Sequence, residues 1–303
     1  MRIAVLDIGG TAVKSGIWNG QELKEIRETP SEAKQGGSVL MQRMQAILKQ
    51  LLPFEAIGIS TAGQVNGETG SIIFANDNIP GYTGMEIRTI LEHEFGVPAA
   101  VENDVNAAAL GEMRKGAGIG KKDFLMLTYG TGIGGAIVTG GRLYHGASWS
   151  AGEFGGIVVH PEEMKDGQTF SGCYEGCGSA SALVRSVQRK RPELSDGREI
   201  FGHLAEEDVK AAVDAWIDEV VCGLITLIHI FNPEMVILGG GIMSQSYVTD
   251  TIREKIRPKL AGGFQNTIIT GAVLGNRAGM TGAAFLAETV LQEQKNKHQR
   301  ENH

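Results

Sequence analysis

The chain has 303 residues, a formal net charge of -7, 42% hydrophobic and 21% charged residues, the make-up of an ordinary globular protein with room for two compact lobes. The acidic balance argues against a nucleic-acid binder, since phosphate contacts need clustered Lys and Arg, and three cysteines give no disulfide framework and suit a reducing cytosol. The longest apolar stretch, Val220 to Phe231, carries Gly223, Thr226 and His229 and is too short to span a bilayer; with an acid at residue 7, out of place in a secretory signal, a cytoplasmic protein without membrane contact is expected.

In chain order, residues 3–7 (IAVLD) read as a buried strand, DIGGTAVKSGIW as a turn and a returning strand, and WNGQ as a hairpin signal. Residues 38–52 have helical spacing up to Pro53. EAIGIS is a strand, MEIRTILEHEFG a helix, VPAAVEN a strand, and NAAALGEMRKG a helix whose small residues allow close packing. The opening grammar then recurs. DFLMLTYGTGIGGAIVTGGRLYHG is again an apolar strand, a Gly/Thr-rich turn, a returning strand and a second glycine turn. Two copies of one unit suggest two lobes with a shared fold and a cleft between them; chance likeness of two hairpins is the plainer alternative. An irregular region at about 157–180, helices through residue 230, the strand-to-glycine passage EMVILGGGI and a helix over 271–292 follow, and QEQKNKHQRENH reads as a frayed polar tail.

Glycine stands out at 43 residues, about twice the usual ~7% share, and is expected to serve as turn chemistry between apolar runs. In Gly9-Gly10-Thr11 no side chain blocks the approach of backbone N–H groups to an anion, Thr11 adds a hydroxyl, and Lys14 a charge. The second copy offers the same around Thr131 and Gly132, and Gly239-Gly240-Gly241 after a strand can lie against a base or ribose. Any one of these alone is equally a tight hairpin. GTGIGG at 130–135 fits GxGxxG, yet a strand pattern follows it where a dinucleotide site needs a helix, and no GxxxxGK[ST] loop occurs. Three such turns together suggest a nucleoside triphosphate held by two lobes.

DIGGT at 7–11, VENDVNAAALGE at 101–112, LTYGTGIGGA at 127–136, SAGEFG at 150–155, GCYE at 172–175 and VILGGGI at 236–242 fall in the order and spacing of the ROK sugar kinases (repressors, open reading frames, kinases), a resemblance running from Ile3 to about Ala287. It implies an α/β, two-lobed, actin-like and ribonuclease-H-like ATPase fold that takes ATP, Mg²⁺ and a hexose. The lobes are expected at 1–115, joined by the C-terminal helix at about 282–292, and at 116–281, with 293–303 as the tail. Family members are commonly dimers, so a homodimer is expected.

Glu102-Asn103-Asp104 stands where a strand ends and a helix begins, a usual place for a site residue. Phosphoryl transfer to a hydroxyl needs a carboxylate to accept the proton. Asp104 matches the family's catalytic base and Asn103 a sugar-binding amide, while the plainer role for Asp104 is a helix N-cap. Asp7 matches a residue facing metal or phosphates. ANDNIPGY at 75–82 resembles the family's Asn-Leu-Pro-Gly-Trp segment, making Asn78 a hydroxyl ligand, and Glu153 and Glu175 match two sugar-binding carboxylates.

Most family members have His where this chain has Gly156, and that His helps hold the sugar near C1 and C2 and ligates a structural zinc with three cysteines. Of the cysteines only Cys173 remains, and His160, Cys173 and Cys177 at unfamiliar spacing fall short of four ligands, so no structural zinc is expected. Loss of the imidazole opens the anomeric side of the sugar, as in the zinc-less β-glucoside kinase branch, unless loop 157–171 refills it. A β-glucoside kinase acting on cellobiose- or gentiobiose-type substrates is therefore expected ahead of a glucokinase or an N-acetylmannosamine kinase. A repressor is not expected, because DIGGT begins at residue 7 and leaves no room for a DNA-binding domain, and RSVQRKR at 185–191 reads as a solvated helix end. A sugar sensor without turnover has no need of the Asp104 base.

Overall fold

The computed structural model describes residues 1–301 and divides the chain into two units. The first comprises Met1–Gly116, His145–Ala151 and Asn276–His303, and the second Ala117–Tyr144 and Gly152–Gly275. The seven residues from His145 to Ala151 belong to the first unit although they lie in the middle of the segment expected for the second.

The first unit opens with β1 (Ile3–Ile8), β2 (Ala12–Trp18) and β3 (Leu23–Pro30), the last entered through the Asn19-Gly20 turn, where Asn19 Oδ1 accepts from the Gln21 and Glu22 N–H groups at 2.9 Å. There follow α1 (Gly37–Leu51), β4 (Ala56–Thr61), the short pair β5 (Gln64–Asn66) and β6 (Ser71–Phe74), α2 (Ile87–Phe95), β7 (Ala99–Asn103) and α3 (Asp104–Lys115). The main sheet has the order β3-β2-β1-β4-β7, with an antiparallel β1–β2–β3 meander and β1, β4 and β7 mutually parallel. The apolar runs IAVLDI and AIGIST are buried almost throughout because both faces of this parallel centre are covered. The β5–β6 pair was not legible in the sequence, its strands being too short to show a period.

The second unit repeats this plan. β8 (Phe124–Tyr129), β9 (Ile133–Thr139) and β10 (Arg142–Leu143) form the meander; after α4 (Tyr174–Gly178), α5 (Ala180–Gln188), α6 (Gly197–Gly202) and α7 (Glu207–Phe231) come β11 (Met235–Gly239), α8 (Ser246–Ile256) and β12 (Ile268–Gly271). Its sheet order, β10-β9-β8-β11-β12, with β8, β11 and β12 parallel, matches the first strand for strand. Three residues, Gly9–Thr11 and Gly130–Gly132, join the first two strands in each. Two mixed sheets flanked by helices, built on one duplicated plan, are the actin-like ATPase fold expected from the motifs. Among the described residues no helix is long and apolar enough to cross a membrane.

The chain ends on α9 (Ala278–Glu301), which returns to the first unit. Residues 293–301 of the expected polar tail are thus helical, and 302–303 lie outside the described residues. Met280, Ala283, Ala284, Ala287 and Leu291 of α9 pack on Ile3, Val5, Trp18 and Ala56, while α1 and α2 cover the opposite side of the sheet. The approach is at backbone distance. A Cβ on Gly282 would lie 1.7 Å from the Ala107 carbonyl oxygen of α3, one on Gly111 2.3 Å from that of Ala278, and one on Gly58 of β4 2.3 Å from that of Ala283. These glycines lie inside helices and a strand, so the glycine excess is not turn chemistry alone. Gly282→Ala is expected to cost about 3 kcal/mol or more, because backbone faces backbone there and no side chain can yield; urea unfolding of the variant beside wild type measures it.

Candidate active site

In the first unit β7 runs directly into α3, and the junction is held by the side chain of Asn103. Its Oδ1 accepts from the N–H groups of Val105 (2.9 Å) and Asn106 (3.1 Å), and its Nδ2 donates to the Gly63 carbonyl (2.9 Å) and Asp104 Oδ1 (3.1 Å). Asn103 is therefore the N-cap, and Asp104 is the first residue of the helix, which removes the plainer reading of Asp104 as a cap. Asp104 Oδ1 also accepts from the Val105 N–H at 2.9 Å. Burial and then the negative charge of Asp7 push the Asp104 carboxyl up to about 6, against the pull of the Val105 N–H, its own N–H and the Asn103 amide. Asp7, on β1, accepts from Ser60 Oγ at 2.6 Å and lies 3.7 Å from Lys14 Nζ. Burial raises its carboxyl above the ordinary value, with Ser60 and Lys14 opposing the rise. Gly279 keeps α9 clear of this pair, since a Cβ there would lie 2.9 Å from Asp7 Oδ1 and 2.8 Å from Ser60 Oγ. Lys14, read as a phosphate ligand, is thus Asp7's ion-pair partner, while Gly9, Gly10 and Thr11 are exposed in the turn closed by the Gly9 N–H on the Ala12 carbonyl at 2.9 Å.

Asn78 is exposed on the 75–82 loop, its N–H on Asn76 Oδ1 at 3.1 Å. The loop is pinned by buried Ile79 and Tyr82, whose hydroxyl lies 2.8 Å from Thr61 Oγ1 at the end of β4. A group missed by sequence reasoning stands beside Asn103: buried Glu102 accepts from the Asn103 N–H and Asn106 Nδ2 and meets His145 Nε2 at 2.8 Å, and His145 packs on Trp149. His145 and Trp149 reach it through the 145–151 excursion, for which no local pattern gives a signal.

In the second unit the two glycine turns are neighbours. Gly240, at φ +102°, comes so close to Tyr129 that a Cβ would lie 2.2 Å from its carbonyl oxygen, and β11 pairs Gly239 with Thr128 just before Gly130. Glu175, on α4, accepts from the Ile133 N–H at 2.9 Å, and a Cβ on Gly132 would meet the same carboxylate oxygen at 2.1 Å. Glu175 thus braces the turn that carries Thr131 and Gly132. Buried Tyr174 fixes α4 by donating to the Val220 carbonyl at 2.7 Å, lying 2.8 Å from Tyr129 Oη, and nesting against Gly223 of α7. Glu153 is exposed just before a 3-10 turn, Phe154–Gly156. Beside Gly156 stands Phe170, with ring carbons 3.2 and 3.9 Å from where a Cβ would be, so loop 157–171 brings an aromatic ring to the position that the family gives to His.

The ROK family model matches residues 3–290. The chain belongs to the ROK family. Among its relatives, a Listeria monocytogenes β-glucoside kinase is 32% identical over 308 residues, covering 99% of this chain and 100% of that one, and a Halalkalibacterium halodurans glucokinase is 32% identical over 319, covering 93% and 94%. A ROK glucokinase from Streptomyces griseus, solved with glucose and AMPPNP, superposes with a TM-score of 0.82 at 30% identity, covering 95% of this chain and 100% of that chain.

This ROK protein lacks the family's zinc ligands at Gly156 and before Cys173, and Cys173 Sγ instead donates to the Gly156 carbonyl at 3.3 Å. Among the described residues one trio of His, Cys or acidic groups is close enough to share an ion, His160, Cys177 and Glu219, so Asp7 and Asp104 belong to no cage of three protein ligands. A Mg²⁺ ion beside them fits one held chiefly by phosphate oxygens.

The raised Asp104 carboxyl makes a stability prediction. Its ionised form is disfavoured in the fold, so the penalty is absent below the unfolded value of 3.8, grows as pH rises and is complete above about 6. Asp104→Asn is expected to be more stable than wild type at about pH 8, by roughly 1–3 kcal/mol, with the gain vanishing near pH 4; thermal melts across that range test the sign.

Proposed function

We propose that the chain is an ATP-dependent sugar kinase that transfers the γ-phosphoryl group of MgATP to the 6-hydroxyl of a glucosyl unit. The observation that supports this reading most is Asp104. A carboxylate at the start of a helix, fixed by Asn103 and raised to about 6, is a base matched to neutral pH. Asp104 accepts the proton as the 6-oxygen forms its bond to the γ-phosphorus. The bond from that phosphorus to the β–γ bridging oxygen breaks, and ADP leaves with the electron pair.

The phosphates are assigned to the turns with Gly9, Gly10 and Thr11, with Thr131 and Gly132, and with Gly239 and Gly240, whose bare backbones suit close approach of an anion. Asp7 is assigned to the Mg²⁺ shell, with Lys14 as its counter-charge. Sugar hydroxyls are assigned to Asn78, Glu153 and Glu175. Asn103, with both amide hydrogens and its oxygen committed to the chain, acts as a positioning residue for Asp104 and not as a sugar ligand.

The acceptor is proposed to be a β-glucoside, with Phe170 as an aromatic platform under the group attached at O1. Gly156 leaves no imidazole there, and the half-exposed ring of Phe170 stands beside it at a strained φ of +66°. In the glucokinase reading the same ring closes the space. ADP release from glucose, N-acetylmannosamine, cellobiose, gentiobiose and an aryl β-glucoside is expected to show higher kcat/KM on the glycosides, and Phe170→Ala to lower that value selectively for them. Preference for free glucose, with glycoside turnover improved by Phe170→Ala, assigns the ring as a plug and rejects the glycoside reading.

Asp104→Asn is expected to bind sugar and nucleotide yet lose about 10²–10⁴ in kcat; near-normal turnover removes Asp104 as the base, and absence of ADP release from wild type leaves only a sensor. In wild type kcat/KM is expected to rise with pH with a midpoint near 6, because only ionised Asp104 accepts a proton.

A further inference from the structure

His160, Cys177 and Glu219 bring one ligand atom each to within 4.8 Å of one another, from three separate segments of the second unit. His160 precedes a 3-10 turn in the 157–173 segment, Cys177 lies on α4, and Glu219 lies on α7. His160 Nε2 is 2.7 Å from Glu219 Oε2, and the Cys177 thiol faces the same carboxylate, so an imidazole and a thiol converge on one acid. None of the three is used in the phosphoryl-transfer chemistry assigned above.

We propose that His160, Cys177 and Glu219 bind one zinc ion. A nitrogen, a sulfur and a carboxylate oxygen form the borderline donor set that zinc prefers over magnesium or calcium. Ligand bonds of about 2.0–2.3 Å in a tetrahedron place ligand atoms about 3.3–3.8 Å apart, so His160 Nε2 and Glu219 Oε2 must open from 2.7 Å while no separation in the trio, all within 4.8 Å, has far to close. The fourth position falls to water, which leaves Cys177 as the one thiolate on the ion. His160 Nδ1 already meets Glu162 Oε1 at 3.1 Å, which supplies the carboxylate–imidazole pairing that orients a metal-bound histidine. The site differs from the family's in every ligand: the histidine is four residues beyond Gly156, Cys173 is turned away to the Gly156 carbonyl, and an acid on α7 takes part.

The position gives the ion a structural task. The 157–173 segment closes on itself through the Val158–Cys173 bridge and through the Val159 and His160 N–H groups, both on the Gly172 carbonyl at 3.0 Å. An ion on His160 ties that closure to α4 and α7, and two of its ligands, His160 and Cys177, bracket Phe170 and Glu175 in sequence.

The test uses the intact protein, loaded with excess zinc or cobalt(II) and desalted. About one equivalent of zinc per chain is expected to remain, the cobalt form to show a thiolate-to-metal charge-transfer band, and the melting temperature to fall on chelation. Cys177→Ser is expected to lose the band, and Glu219→Gln to weaken cobalt binding at least tenfold while keeping the wild-type circular dichroism. If Cys177→Ser fails to fold, the Glu219→Gln titration decides. Retention of less than a tenth of an equivalent by wild type, survival of the band in Cys177→Ser, or unchanged affinity in a folded Glu219→Gln overturns the proposal.

Discussion

The contact on which the first unit depends is the approach of α9 to α3 and β4 with no side chain between them. Gly58, Gly111 and Gly282 each occupy a place where a single carbon would strike a carbonyl oxygen. The separation this sets fixes the start of α3 relative to the ends of β1 and β4. Asp104, Asp7 and Ser60 stand there, and the remaining glycine of the seam, Gly279, borders two of them. The packing that stabilises the fold and the electrostatics that raise the Asp104 carboxyl are therefore one arrangement. Loosening the seam admits water to the carboxyl and lowers the burial that makes it a base.

The second unit solves a similar problem by other means. Its strand-end glycines permit close contact within one sheet, Gly240 against Tyr129, and the neighbouring acid, Glu175, is fixed by a backbone N–H. Tyr174 does for Glu175 what Asn103 does for Asp104: a fully committed neighbour in sequence holds the helix start.

Much of the fold was legible because it is written in local pattern. Buried strands such as IAVLDI and AIGIST, the Asn19-Gly20 turn and the repeated strand-turn-strand grammar all depend on residues adjacent in the chain. The motif order also singled out Asp104, Glu153 and Glu175 as candidate site residues. What escaped depends on contacts distant in sequence. Glu102 with His145, Gly156 with Phe170, and Cys177 with Glu219 are pairs that no period or spacing announces. The partners that Asn103 and Lys14 have in the fold, the Gly63 carbonyl and Asp7, were not legible either, since a polar side chain looks the same in sequence whether it serves a ligand or the protein itself.

The excursion of residues 145–151 and the return of α9 mean that the chain passes between the two units four times, after residues 116, 144, 151 and 275. No single cut separates them. Synthesis from the N-terminus also imposes an order. The second unit has all its strands and helices once residue 275 is made, whereas Ile3, Val5, Trp18 and Ala56, made before it, lack their covering helix until α9 follows. Of the two units, the one begun earlier is closed later, and until α9 emerges its sheet carries an uncovered apolar face of the kind that chaperones bind.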